Sequence, residues 1–217
     1  MDVVVAGGHG QIAQRLLSLL CRRGDRARGL VRNPDHVADL RSLGAEGVVA
    51  DLETDVDLAA VVAGADAVVF AAGAGPGSGP ERKRTMDLGG ALKLIDAARA
   101  TGVRRYLMIS AMGTSDPGAR AGAMRPYLEA KSEADEAVRA SGLEWTILKP
   151  GRLTDGPGTG RVALAASLGR YGEVPRDDVA AVLLACLDEP GTVGRDLELI
   201  AGDVPVFEAV RALAPPG

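Results

Sequence analysis

The sequence predicts an α/β fold, a doubly wound parallel sheet with helices on both faces. Three observations predict it. Short apolar runs alternate with helically periodic segments along most of the 217 residues, the rhythm that parallel strands joined by right-handed helical crossovers produce. Hydrophobic residues make up 47% of the chain but aromatic ones only 3%, so the core must be built from Ala, Val, Leu and Ile, as suits strands buried on both faces. A glycine turn, Gly7-Gly8-His9-Gly10, stands between the first strand and the first helix.

The elements follow in order. Asp2 to Ala6 reads as a buried strand, and Ile12, Leu16, Leu19 and Leu20 then fall on one face of a helix that Gly24 closes. A second strand runs near Ala27 to Val31, and Asn33-Pro34-Asp35 breaks it before a short helix through Val37 and Leu40. Gly47 to Ala50 is a third strand ending at Asp51, the segment Asp57 to Val62 is helical, and Ala67 to Phe70 is a fourth strand that ends in Ala71-Ala72-Gly73. A helix from about Thr85 to Ala100, a strand from Tyr106 to Ser110, a helix from about Tyr127 to Ala140 and a strand at Trp145 to Leu148 continue the alternation. After Pro150-Gly151 the pattern loosens, with only a helix at Val179 to Leu187 and a strand at Leu197 to Ile200. Residues 1–217 are expected to form one domain, in which about 151–217 make a small substrate-side cap.

Charge and cysteine usage narrow the function. A formal net charge of −4 argues against nucleic acid as a partner, which calls for a strongly basic face. No apolar stretch is long enough to span a membrane, and the first residues run into a strand instead of a charged signal segment. Cys21 and Cys186 sit in apolar helical runs without a CxxC partner or a nearby His, so they read as buried core thiols, and no metal site is expected. A cytoplasmic protein with a small-molecule substrate follows, as a monomer or homodimer.

Gly8-x-Gly10-x-x-Ala13, overlapped by Gly7-x-x-Gly10-x-x-Ala13, has the spacing of a dinucleotide turn. Small residues allow a pyrophosphate to approach the backbone amides, and the helix amino terminus favours its charge. Gly7, His9, Gly10, Gln11 and Ile12 are the candidate phosphate contacts, although His9 could equally be an exposed loop imidazole. Arg32 ends the second strand, where an NAD site commonly places an acid; a guanidinium there would pair with the 2′-phosphate of NADP, so NADPH is expected over NADH. A solvated surface arginine is the alternative. Asp51 could accept from the adenine amino group, or simply close a strand-end turn, with Leu52 beside it. Ala71, Ala72 and Gly73 leave room for the adenosine ribose. Arg82-Lys83-Arg84 reads better as a solvated charged face than as an anion contact, His36 as a helix-surface residue, and Trp145 as core.

At Tyr127-Leu128-Glu129-Ala130-Lys131 the YxxxK spacing puts a phenol and an ammonium on one helical face. Together with the glycine turn and a strand ending in Ser110, it resembles the short-chain dehydrogenase/reductase family. The Gly-Gly-His-Gly turn, the Val31-Arg32 pair and Lys149-Pro150-Gly151 are similar to its atypical, epimerase/dehydratase-like branch, over nearly the whole chain. The resemblance implies a Rossmann-type NAD(P)-binding domain. It further implies that Lys131 holds the nicotinamide ribose and lowers the pKa of Tyr127, that Tyr127 is the general acid or base, that Ser110 or Thr114 holds the substrate carbonyl, and that Pro150 borders the cofactor. Ala111 departs from the pattern, occupying the place where the extended branch carries its catalytic Ser or Thr. The expected function is an NADP-dependent oxidoreductase acting on a small carbonyl, quinone or flavin-like substrate. The alternatives are a non-enzymatic NADP-binding sensor, which Ala111 favours, and an epimerase or dehydratase, against which the short tail speaks.

Overall fold

In the computed structural model, which describes residues 1–213 other than 55, 76, 120, 121 and 123, the predicted alternation becomes a layered sheet. Its first half consists of β1 (Asp2–Ala6), α1 (Gln11–Arg23), β2 (Arg26–Val31), α2 (Val37–Ser42), β3 (Glu46–Val49), α3 (Leu58–Val62) and β4 (Ala67–Phe70). Gly24 ends α1 in the left-handed conformation at φ 90°, and the Asp57 carboxylate caps α3 by accepting from Ala60 N, the roles their positions predict. The second half opens with α4 (Pro80–Arg82), which passes through a π-helical segment (Lys83–Gly90) into α5 (Ala91–Thr101). Then come β5 (Arg105–Ile109), α6 (Met124–Ala140) and β6 (Glu144–Pro150). The helix expected from Thr85 therefore begins five residues earlier, with Pro80 at its first position, where a missing N–H costs nothing.

The nine-stranded sheet has the order β11-β8-β10-β6-β5-β4-β1-β2-β3, in which β7 (Arg152–Thr154), β8 (Arg161–Ala165), β9 (Glu173–Pro175), β10 (Arg195–Ala201) and β11 (Val204–Pro205) come from the tail. The tail also supplies α7 (Arg176–Asp188) and α8 (Val206–Arg211). The region expected as a cap thus divides. β10 adds parallel to β6, β8 and β11 extend the sheet antiparallel, and only β7 and β9 stand apart as a two-stranded ribbon. The reason is that β6 would otherwise be an unpaired edge of a buried parallel sheet. Among the described residues no helix is long and apolar enough to cross a membrane.

Side-chain alternation along the strands divides the core in two. Val3 and Val5 of β1 face the layer built by Ile12, Leu16, Leu17 and Leu20 of α1 with α7. Val4 and Ala6 face the layer of α3, α5 and α6, through Leu58, Leu94 and Val138. Each fully buried Leu or Val contributes about 1.5–3 kcal/mol. Cys186 of α7 is buried and Cys21 of α1 only half-buried; both are free thiols, so the core-thiol expectation holds for Cys186 and is corrected for Cys21. The chain reverses direction across the sheet between β1 and β4, and ligand crevices of such sheets open outside the strand ends at that point.

Candidate functional site

The two loops leaving the switch point shape a cleft. Gly7 follows β1 with φ +80°, and a Cβ there would lie 2.6 Å from Ala72 Cα in the loop after β4. Gly8 packs as closely on β2, where a Cβ would lie 2.8 Å from Gly29 Cα. Only glycine brings the first turn this near both neighbours. Gly10 N donates to Gly7 O at 2.8 Å and Gln14 Nε2 to His9 O at 2.8 Å, fixing the loop. The amino end of α1 has no side-chain cap and no acidic residue in its first turn. Its first amides are thus left without a side-chain cap next to Gly10 of the cleft wall, an arrangement that suits a pyrophosphate.

The nucleotide half of the cleft, about 230 Å³, is lined by Gly7, His9, Gly10, Arg32, Asp51, Leu52, Ala71, Ala72 and Gly73, nine of the expected positions, and also by His36, Arg82 and Met86. His36, expected on the helix surface, stacks on His9 with ring centroids 3.6 Å apart, and His9 Nε2 pairs with Asp39 Oδ2 at 2.9 Å. Arg82, expected in a solvated face, reaches Glu53 Oε2 through Nε at 3.2 Å and Nη2 at 3.1 Å. Asp51 Oδ1 accepts from Glu53 N at 2.9 Å, so it does close the strand-end turn while lining the cleft.

The same Ala71–Ala74 strip floors a second compartment of about 480 Å³, lined by Ile12, Lys83, Asp87, Ile109, Ser110, Met124, Tyr127, Lys131 and Leu153. Here α6 delivers both members of the YxxxK pair and β5 delivers Ser110. Lys131 is buried, donating from Nζ to Ile109 O at 3.0 Å and standing 3.4 Å from Asp87 Oδ1. Asp87 is wholly buried on the π-helical segment, and its Oδ2 accepts from Ala74 N at 3.2 Å. Burial pushes the Tyr127 phenol well above its ordinary value, and the carboxylates of Asp87 and Asp135 push it the same way. This runs opposite to the lowering expected from Lys131: burial is the largest cause, and the ammonium is engaged by Asp87 and a main-chain carbonyl.

Behind Ser110 lies a buried polar cluster. Ser110 Oγ faces Asp135 without completing a hydrogen bond. Thr114 Oγ1 donates to Asp135 Oδ2 at 2.8 Å, and Lys149 Nζ stands 3.4 Å from Asp135 and 2.8 Å from Asp196. Burial raises the Asp135 carboxyl, against the opposing pull of Lys149. Thr114, the alternative substrate hydroxyl, is therefore committed to Asp135. Two expected positions stay out of the cleft lining: Pro150 is buried at the end of β6, and Gln11 is exposed. Asp87 is what sequence reasoning missed, although an acid between the apolar Met86 and Leu88 is a signal; for Arg82 the anion contact was the less favoured alternative, and His36 was expected on the helix surface.

The glycine turn, the uncapped helix end and the flat strip after β4 form a dinucleotide cradle, and the NAD(P)H-binding family model matches residues 7–190. The chain belongs to the NAD(P)H-binding family. This NAD(P)H-binding protein is 42% identical over 98% of its length to the whole of a Bacillus subtilis protein named "Uncharacterized sugar epimerase YhfK". A solved Bacillus halodurans structure described as "Putative NAD-dependent epimerase/dehydratase" shares 38% identity, covers 98% of this chain and 99% of its own, and superposes with a TM-score of 0.93. A "Ceramide reductase" of Caulobacter vibrioides is 28% identical across 83% of this chain and 53% of its own length. A reductase and an epimerase thus stand by name among these relatives, and the resemblance to atypical short-chain dehydrogenases agrees with all three.

Proposed function

We propose that this NAD(P)H-binding protein is an NADP-preferring reductase of a small carbonyl, quinone or flavin-like substrate. The observation that carries the proposal is the shared floor: Ala71 to Ala74 lines both the nucleotide cleft and the Tyr127–Lys131–Ser110 compartment, so one extended dinucleotide fits with its reactive end beside Tyr127. NADPH would supply the hydride. The chain's part is to bind, orient and protonate. Tyr127, its phenol pushed upward, is protonated at neutral pH and suits donation of a proton to the substrate oxygen, which favours the reducing direction. Ser110 holds that oxygen, and Lys131 holds the nicotinamide ribose, exchanging its bond to Ile109 O for the ribose hydroxyls. Met124 and Leu153 give the substrate side an apolar wall, suited to a flat, poorly hydrated substrate. Arg32 supports the NADP preference because it lines the nucleotide cleft with a side chain 54% exposed. The free thiols suit a reducing cytoplasm.

A second reading, an NADP sensor without turnover, is favoured by the engagement of Lys131 with Asp87 and the Ile109 carbonyl. Titration with NADPH and NADH tests the site, followed by a screen of NADPH oxidation against quinones, flavins, aldehydes and a sugar nucleotide in wild type and Tyr127→Phe. Turnover that Tyr127→Phe abolishes supports the reductase. Tight NADPH binding without turnover moves the sensor ahead, epimerised sugar without net oxidation favours the relative's epimerase chemistry, and absence of nucleotide binding refutes the site. Arg32→Glu weakens NADPH far more than NADH; equal losses would refute the phosphate contact.

A further inference from the structure

Three donors converge on one carboxylate at the rim of the nucleotide cleft. Arg82 binds Glu53 Oε2 with Nε and Nη2, at 3.2 and 3.1 Å. Thr85 Oγ1 donates to Oε1 at 2.7 Å. Arg32 Nη1 stands 3.8 Å from Oε2, beyond hydrogen-bond reach. Arg82 and Thr85 take the hydrogen bonds, and Arg32 is left with only a looser ion pair to the same carboxylate. Two guanidiniums against one carboxylate also leave an excess positive charge. A phosphate monoester supplies what is missing, with three acceptor oxygens and a charge of about −1.5 to −2.

Glu53 is able to leave. It sits in the turn after β3, immediately beyond Asp51 and Leu52 of the cleft wall, and its side chain is 24% exposed, so rotation about its own bonds carries the carboxylate into water. Arg32 and Arg82 line the cleft while Glu53 does not, so both guanidiniums face the space a nucleotide would fill. Burial pushes the Glu53 carboxyl up, but Thr85, Arg82 and Arg32 together hold it below the usual range, so the group is an anion at neutral pH.

We propose that Glu53 keeps the place of the cofactor's 2′-phosphate, and that Arg82 and Thr85, once it swings out, hold that phosphate together with Arg32. The inference rests on the NADP reading above and extends it from one residue to an exchange of one anion for another. NADH brings no phosphate and leaves Glu53 where it is. Glu53 therefore opposes NADPH without touching NADH, and Arg82 acts in the reverse sense. Were Glu53 instead a fixed strut that orients the two arginines, removing its charge would loosen NADPH.

Calorimetric titration of the full chain with NADPH, NADH, 2′,5′-ADP and 5′-ADP, in wild type, Glu53→Gln and Arg82→Gln, decides between these. Glu53→Gln is expected to tighten NADPH and 2′,5′-ADP by roughly fivefold, the scale of one partly exposed charge contact. Arg82→Gln is expected to loosen both by about tenfold, the scale of a charge-assisted phosphate contact. NADH and 5′-ADP stay within about twofold in every variant, which also shows that the cleft has folded. Looser NADPH in Glu53→Gln, or unchanged NADPH in Arg82→Gln, overturns the exchange. The two readings fail separately: a wild type that binds NADPH and NADH equally removes the NADP reading and the exchange with it. A wild type that prefers NADPH while neither variant alters the preference removes the exchange alone.

Discussion

Lys131 and Asp87 face each other at 3.4 Å with side chains 4% and 0% exposed, and the structure predicts what happens when either is removed. At an effective dielectric of about 20, opposite unit charges at that separation attract by roughly 5 kcal/mol. Most of that attraction offsets the cost of taking two ions out of water, so the pair adds little net stability. Losing one partner is another matter, because it strands the other charge in the core at a cost of about 3–5 kcal/mol. Asp87→Asn leaves the ammonium with the Ile109 carbonyl, and Lys131→Met leaves a carboxylate held by Ala74 N. Each is expected to lower the unfolding free energy by about 3 kcal/mol. The double variant removes both charges and is expected to lose about the same as one single variant, a coupling of roughly 2–3 kcal/mol. Urea unfolding followed by circular dichroism measures this directly, provided the slope m is common to all four proteins. Single losses that add in the double variant to within about 0.5 kcal/mol would refute the pairing, and with it the explanation of why Lys131 fails to lower the Tyr127 phenol.

Two further outcomes follow from geometry already described. Gly7→Ala forces a Cβ to within 2.6 Å of Ala72 Cα at a φ of +80°, so it is expected to cost about 2 kcal/mol or more and to abolish nucleotide binding; unchanged NADPH affinity would show that the turn is not the cradle. Burial raises the Asp196 carboxyl, but Arg139 and Lys149 more than offset that and hold it below the usual range. A depressed folded-state pKa means that this carboxylate stabilises the fold above its unfolded pKa of about 3.9 and that the stabilisation is lost as pH falls through the lower folded value. The stability gap between wild type and Asp196→Asn is therefore expected to be full at pH 5 and above and to close below about pH 4; a gap independent of pH would rule out the ion pairs as its source.

The strands β1 to β6 were legible because each is a short apolar run followed by a helix of clear period, and the Gly7 turn because its steric demand is local. The tail was less so. β11 is only Val204–Pro205, too short for alternation to register, and β8 (Arg161–Ala165), as long as β1, is not followed by a helix of clear period; β8 covers the free edge of β10, and β11 that of β8. In the site, Arg32 and the Tyr127–Lys131 pair could be read because spacing alone places them. Arg82, His36 and Asp87 could not, since each reaches the cleft by tertiary approach: Arg82 through the early start of α4, His36 by stacking across to His9, and Asp87 through the wide turns between Lys83 and Gly90. The direction of the Tyr127 shift was illegible for the same reason, because it depends first on burial, which only the folded packing sets, and then on Asp87 from another element as well as Asp135 of its own helix.

The separate ribbon of β7 and β9 has a consequence for how this scaffold can change. Leu153 of β7 lines the substrate compartment, yet the ribbon shares no ladder with the nine-stranded sheet that carries the glycine turn. One wall of the substrate compartment therefore lies outside the ladder that positions the glycine turn, although the ribbon is anchored to the sheet where Gly151 N donates to Leu199 O of β10. Residues on the ribbon can be exchanged to admit a different substrate while the register of β1 against β4, and so the position of the dinucleotide, stays as it is.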